Sequence, residues 1–133
     1  MKADLHNHVY VTWERGSLSL QRGPRTLEYI TDLAIQRDIG ILGITSHGQD
    51  DHRLRALKQT ARDLPSNFQY EDFGSIVHVT RRKDGIEKRV ILVHTRTVPT
   101  QQGDMLVMGK DVEFKDRTDI RETLKRAKDL GMV

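Results

Sequence analysis

Two histidines near the amino terminus, His6 and His8, have the spacing and surroundings of metal ligands. The segment DLHNH that contains them leads into β-branched and aromatic residues, which predicts a strand from Ala3 to about Val11 that runs into a loop. Side chains two positions apart on a strand project from the same face, so both imidazoles would point the same way. Such a pair is half of a site for Zn²⁺, Mn²⁺ or Fe²⁺, although the same spacing also arises by chance in histidines that only form local hydrogen bonds.

A third histidine, His47, follows the second predicted strand. A helix is predicted between Pro24 and Gly40, a natural stop, with an apolar face that consists of Leu27, Ile30, Leu33 and Ala34. The short apolar run 41–45 then predicts a buried parallel strand that ends at His47. The carboxyl ends of parallel strands meet at one edge of a sheet, so the three histidines are expected to converge there.

Asp51 and His52 lie close to His47 in the sequence and are further candidates for the same site. A second helix is predicted to begin near Asp50 or Asp51, either of which can cap it, and to end at Pro65. Its inward residues are Leu54, Leu57, Ala61 and Leu64. A capping carboxylate complements the helix dipole, and this role is the more common one for Asp51. The role of a metal ligand stays open beside it.

The segment 75–100 predicts a β-hairpin with a turn at residues 83–85. It carries His78, which is expected to be exposed or hydrogen-bonded, and His94, which could face the core, solvent or a metal. Basic residues surround the turn, namely Arg81, Arg82, Lys83, Lys88 and Arg89. This pattern is typical of a solvated hairpin tip, and binding of nucleic acid is the alternative.

The last part of the chain predicts one more strand and one more helix. A turn at 99–104 precedes a short strand from Met105 to Met108. The helix begins near Thr118 or Asp119 and ends at Gly131. Its inward residues are predicted to be Ile120, Leu124, Ala127 and Leu130.

Composition restricts the class of protein. The 133 residues suit one domain with a hydrophobic core. The chain has no cysteine, so a metal would have to bind His, Asp, Glu or water. The net charge of +3, with both signs mixed, does not by itself indicate nucleic acid as a partner. No apolar run approaches the roughly 18 to 20 residues of a membrane helix, and the amino terminus lacks a signal-peptide core. We therefore expect a soluble, cytoplasmic protein without a membrane partner.

Three motifs together resemble the PHP family, the polymerase and histidinol phosphatase-like domains. They are DLHNH at the first strand end, ITSH at the second, and a GDMLVMG strand followed by a helix that ends in glycine. The resemblance spans the chain but corresponds to about half of a typical barrel. It implies a single α/β domain over residues 1–133, a partial distorted (β/α) barrel of the PHP type with an inserted β-hairpin, without the carboxyl-terminal part of the barrel.

The resemblance also implies a function, that of a metal-dependent phosphoesterase acting on a phosphorylated small molecule or nucleotide. His6, His8 and His47 would be ligands of a cluster of divalent ions, namely Zn, Mn or Fe. Clustered cations lower the pKa of a bound water and stabilise the charge that develops on phosphoryl oxygens. Asp4 would orient one of the imidazoles, or would only accept a hydrogen bond at the strand end.

The sequence departs from the family pattern within the metal motifs. The family's T-D-H reads Thr45-Ser46-His47, and Thr97 stands where a metal-bridging Glu is usual. Asp104 stands where some relatives carry a histidine and is a candidate oxygen ligand. These departures leave open a degenerate, non-catalytic PHP-like module with a structural or interaction role. A partial barrel would also expose a sheet edge and apolar surface, which predicts a homo-oligomer or a partner chain that completes the sheet.

Overall fold

The computed structural model describes residues 1–7, 26–47, 53–110 and 112–133. The described part is mixed α/β, as the sequence predicts, with six strands in one mixed sheet that is not closed into a barrel. The strands are β1 (Lys2–Asn7), β2 (Ile39–His47), β3 (Phe68–Asp72), β4 (Ile76–Lys83), β5 (Ile86–Thr100) and β6 (Gly103–Met108). The helices are α1 (Leu27–Gln36), α2 (Arg53–Arg62) and α3 (Ile120–Asp129).

The long strand β5 is the centre of the sheet. The strand order is β1-β2-β5-β4-β3, and β6 also pairs with β5. β1, β2 and β5 run parallel, so the predicted β-α-β unit is confirmed, whereas β4 and β6 run antiparallel to β5. On one side of β5, residues 91–97 pair with β2. On the other side, residues 86–93 pair with β4 and residues 95–100 pair with β6.

The predicted hairpin between β4 and β5 is confirmed, and its turn has a local cause. Asp84 and Gly85 occupy the turn with φ angles of 53° and 76°. Two successive residues with positive φ form the kind of turn whose twist matches that of the flanking strands. Aspartate tolerates this conformation and glycine adopts it without steric cost, so the turn sets the register of the two strands.

One face of the sheet carries the core under all three helices. Under α1 and α2, alternate strand residues are buried, namely Leu42, Ile44, Val77, Val79, Val90 and Leu92. Under α3 lies a second cluster of Val98, Val107, Phe114, Ala127 and Met132. Val98 has the same alternation along β5 as Val90 and Leu92, so it faces the same side. The opposite face of the central strands contains Thr45, Thr95 and Thr97.

Three details of the elements differ from the predictions. The edge strand β3 was not predicted, because only Phe68 and Tyr70 of its five residues mark its alternation; both pack on the core, and the strand pairs with β4. Leu124, predicted to point inward, is 47% exposed, since α3 buries Thr123 beside Ala127, for which the prediction is confirmed. Pro99, predicted in a turn, lies within β5. Its carbonyl accepts a hydrogen bond from the Arg117 N–H. This side of β5 no longer pairs with β2 beyond Thr97, so no strand there needs an N–H donor from residue 99.

Gly40, predicted to stop α1, instead lies within β2. The helix already ends at Gln36, and Asp38 takes the positive φ of 59° in the turn that leads into β2.

The amino-terminal ends of α1 and α3 are both capped, and the cap of α3 is at a predicted position. α1 begins after Thr26, whose hydroxyl accepts a hydrogen bond from the Tyr29 N–H at 3.3 Å. α3 begins after Asp119, whose carboxylate accepts one from the Arg121 N–H at 2.8 Å. Both are ordinary amino-terminal caps that satisfy free backbone donors. The caps predicted for α2 at residues 50 and 51 lie outside the described residues.

Candidate functional site

Two of the three predicted metal-binding histidines lie near the carboxyl ends of two adjacent parallel strands. His6 is the last residue but one of β1, and His47 is the last residue of β2. Asn7, at the end of β1, lies opposite Ile44. Residue 47 lies three residues farther along β2, about 10 Å at about 3.3 Å per residue, and is opposite Thr97 of β5. Three of the predicted residues lie outside the described residues, namely His8, Asp51 and His52.

The exit of β1 contains a bulge. Asp4 pairs with Leu42 and Asn7 pairs with Ile44, so three steps along β1 correspond to two steps along β2. A bulge of this kind interrupts the alternation of side chains and changes their direction, and such bulges are common beside active sites. The Asp4 carboxylate stabilises the bulge by accepting a hydrogen bond from the backbone N–H of His6 at 3.4 Å. The His6 side chain lies at this bulge and is exposed.

The bulged backbone lies over the face of β2 that is opposite the helices. An ideal Cβ on Gly43 would be 2.3 Å from the Leu5 carbonyl oxygen, so only glycine allows this approach. The Asn7 side-chain amide donates a hydrogen bond to the Gly43 carbonyl at 3.3 Å. The Leu5 carbonyl in turn accepts a hydrogen bond from the hydroxyl of Thr95, two strands away, at 3.4 Å. The end of β1 is therefore attached to both β2 and β5.

Three threonines on this face, Thr45, Thr95 and Thr97, form what we call the threonine row. The hydroxyl oxygens of Thr45 and Thr95 are 2.7 Å apart and buried, because the two residues are opposite each other in the parallel pairing of β2 and β5. Thr97 is only 7% exposed, and its hydroxyl has no hydrogen-bond partner within the described residues. Sequence reasoning did not single out Thr95. The alternating Thr95 and Thr97 in one strand were the signal that could have identified it.

The other candidate ligands lie elsewhere in the sheet. His94 is 3% exposed, and alternation along β5 puts it on the helix-covered face, opposite the threonine row. Asp104 is exposed and pairs with Pro99, four residues beyond Thr95 and thus about 13 Å farther along β5 at about 3.3 Å per residue. The structure therefore brings neither of these residues to the bulge at His6.

The donors near the bulge are mainly neutral oxygens. Within residues 1–7, 26–47, 53–110 and 112–133, no three side chains of His, Asp or Glu come together as a metal site. A divalent ion at this edge would need imidazole ligands from the two histidine motifs. The Thr97 hydroxyl is a further oxygen on this face, buried and without a partner in the described part of the chain. Among the described side chains, this edge offers the imidazole of His6 and the hydroxyls of the threonine row.

The basic hairpin is partly neutralised by acidic residues of the same chain. Arg81 donates a hydrogen bond to the Asp32 carboxylate of α1 at 2.5 Å, and only 14% of its side chain is exposed. Arg82 forms an ion pair with Glu87 across the hairpin. His78 lies near the other end of β4, with its ring centroid 4.5 Å from that of Phe73. Arg82, Lys83, Lys88 and Arg89 are exposed, as predicted for a solvated hairpin tip, whereas Arg81 is largely covered. His78, predicted to be exposed or hydrogen-bonded, is half-buried, and its Nδ1 has no described partner. These contacts add no support for a nucleic-acid site.

Comparisons of the chain with models of protein families, with curated proteins and with solved structures find no match. The resemblance to PHP domains therefore depends on the sequence motifs themselves. Among the helices described, none has the length and apolar character needed to cross a membrane.

Proposed function

We propose that this chain is a PHP-like, metal-dependent phosphoesterase domain whose site lies at the ends of β1 and β2. The observation that carries the proposal is the position of the two histidine motifs, which end adjacent parallel strands of one sheet. Ligands of parallel α/β sheets bind at the carboxyl ends of the strands. In this proposal β1, β2 and β5 are neighbouring strands of a partial (β/α) barrel, and β3 and β4 belong to an insertion.

His6, His8 and His47 would hold the divalent ion, for which Zn, Mn and Fe are the candidates. When bound, the ion lowers the pKa of a coordinated water and stabilises charge on phosphoryl oxygens. Asp4 maintains the bulge from which the His6 side chain projects, through its hydrogen bond to the His6 N–H. We propose a phosphorylated small molecule or nucleotide as the substrate. Because such compounds occur in the cytoplasm, we also propose that the protein is cytoplasmic.

The experiment that tests this proposal is a measurement of metal content by mass spectrometry on untagged protein. The wild type is compared with the double variant His6→Ala, His8→Ala and with a matched control, His78→Ala, which removes a half-buried histidine from β4. We expect stoichiometric zinc, manganese or iron in the wild type and in the control, and none in the double variant. Hydrolysis of p-nitrophenyl phosphate should be lost together with the metal.

A second candidate is a degenerate PHP-like module that has kept the fold for a structural or interaction role. The observation that favours it is the neutral Thr97 hydroxyl at the position where the family motif carries a bridging carboxylate. If the wild-type protein takes up no metal after reconstitution, the proposed phosphoesterase function is refuted and the non-catalytic module is the remaining candidate. The search would then turn to a partner chain that completes the sheet.

A further inference from the structure

The Thr97 hydroxyl is the member of the threonine row for which the structure describes no partner. It is buried, and its oxygen has no hydrogen-bond partner among the residues that the structure describes. A buried hydroxyl without a partner costs folding free energy, and valine would fill the same volume without that cost. Such a group is a reason to look for a ligand that bonds to it.

The surroundings of Thr97 indicate where that ligand would lie. The Thr95 hydroxyl donates to the Leu5 carbonyl, and the Thr45 hydroxyl lies 2.7 Å from that of Thr95, to which it can donate. Both are therefore engaged within the protein. Thr97 lies two residues farther toward the carboxyl end of β5, opposite residue 47 at the end of β2. It is the hydroxyl of the threonine row that has no described partner, and the residue opposite it ends the second histidine motif.

We propose that the Thr97 hydroxyl donates a hydrogen bond to an oxyanion, a phosphoryl oxygen of the substrate, bound over the ends of β2 and β5. This inference rests on the proposed function. Its physical basis is charge as well as geometry, because a neutral hydroxyl attracts an anionic oxygen whereas a carboxylate in its place would repel it. Thr97 is then a binding residue for the phosphoryl group and contributes no bridge between metal ions.

Calorimetric titration of the zinc-loaded protein with inorganic phosphate tests this inference. Thr97→Val keeps the shape and removes the hydroxyl, Thr97→Ala removes it in a smaller side chain, and Thr97→Ser keeps it. The matched control is Thr31→Val in α1, which removes another buried hydroxyl without a described partner, on the helix-covered side of the sheet. Titration with zinc alone is carried out on every variant.

We expect Thr97→Val and Thr97→Ala to weaken phosphate binding by about fivefold, the effect of one lost hydrogen bond. Thr97→Ser and Thr31→Val should bind phosphate like the wild type, and zinc affinity should be the same in all variants. Without phosphate, Thr97→Val should melt at or above the wild-type temperature, because it removes an unpartnered buried group.

Three results would overturn the inference in distinguishable ways. The role of Thr97 is refuted if the zinc-loaded wild type binds no phosphate, or if the Thr97→Val variant binds phosphate as tightly as the wild type. Either result leaves the proposed metal site standing. An equal loss of phosphate affinity in Thr31→Val shows that the effect is not specific to the site. A wild type that binds no zinc refutes the proposed function, and the inference falls with it.

Discussion

The carbonyl group of Leu5 lies directly over Gly43, where an ideal Cβ would be 2.3 Å from the carbonyl oxygen and 2.5 Å from the carbonyl carbon. The obstructing atoms belong to the backbone, so they cannot rotate aside as the end of a flexible side chain can. The same carbonyl accepts the hydrogen bond from Thr95. One glycine therefore allows β1 to reach β5 across β2.

Gly43→Ala should separate the end of β1 from the sheet. We expect a loss of about 2–3 kcal/mol in the free energy of unfolding, as for an overpacked core position, measured by urea denaturation. The matched control on the same strand is Gly40→Ala, whose Cβ would meet only the flexible and exposed side chain of Met1. That variant should stay within about 0.5 kcal/mol of the wild type. Equal losses in the two variants would contradict the role of the Leu5 approach.

The hydroxyl pair of Thr45 and Thr95 should behave as one unit in a double-mutant cycle. Thr95→Val leaves the buried Thr45 hydroxyl without this partner and should cost about 1–3 kcal/mol in the free energy of unfolding. The double variant Thr45→Val, Thr95→Val removes both groups and should cost less than the sum of the single variants. Additive single and double effects would show that the two hydroxyls do not interact.

The ion pair of Arg81 and Asp32 should stabilise the fold more than that of Arg82 and Glu87. Arg81 is largely covered and connects the hairpin to α1, whereas both side chains of the second pair are more than half exposed. We expect Arg81→Met to cost about 1 kcal/mol and Arg82→Met about 0–0.5 kcal/mol at low salt. Urea denaturation at two salt concentrations measures both. The prediction fails if the two variants are equally stable.

The stabilising contribution of the ionised Asp72 should be lost in acid. The pKa of Asp72 lies below its ordinary value of 3.8. The main cause is the hydrogen bond from the backbone N–H of Gly74, and the second is the Lys58 ammonium, 3.0 Å from the carboxylate. Because the folded-state pKa is the lower one, the stabilisation is present above the unfolded pKa and is lost as the pH falls through the folded value. Below about pH 4, the free energy of unfolding of Asp72→Asn should therefore fall less steeply with decreasing pH than that of the wild type. Parallel pH profiles would contradict this.

The outer edge of β6 around Leu106 should promote self-association. The backbone of Met108 exchanges two hydrogen bonds with Val133, on the side of β6 away from β5. The backbone groups of Leu106 point to that same side by alternation. We expect light scattering to give a mass above the 15.3 kDa of one chain, and Leu106→Pro to reduce it, because proline there removes an outward N–H and no bond to β5. A monodisperse wild-type monomer would refute this prediction.

Much of the fold could be predicted from local sequence. The helix α1, the apolar run of β2 and the turn at Asp84 and Gly85 each depend on residues that are neighbours in the chain. The same is true of the two histidine motifs at the ends of β1 and β2. Local propensity and periodicity are sufficient for such elements because their hydrogen bonds close over short distances in sequence.

Tertiary structure alone decided which residues meet at the candidate site. Thr45 and Thr95 are fifty positions apart, and their hydroxyls meet only because β2 and β5 pair in one particular register. The bulge at the end of β1, the need for glycine at 43 and the unpartnered hydroxyl of Thr97 follow from the same pairing. A strand pattern states which side chains alternate, but the neighbour and the register are selected by packing across the whole sheet. The sequence by itself determined the elements and the histidine motifs, and the non-local pairing around β5 decided what surrounds them.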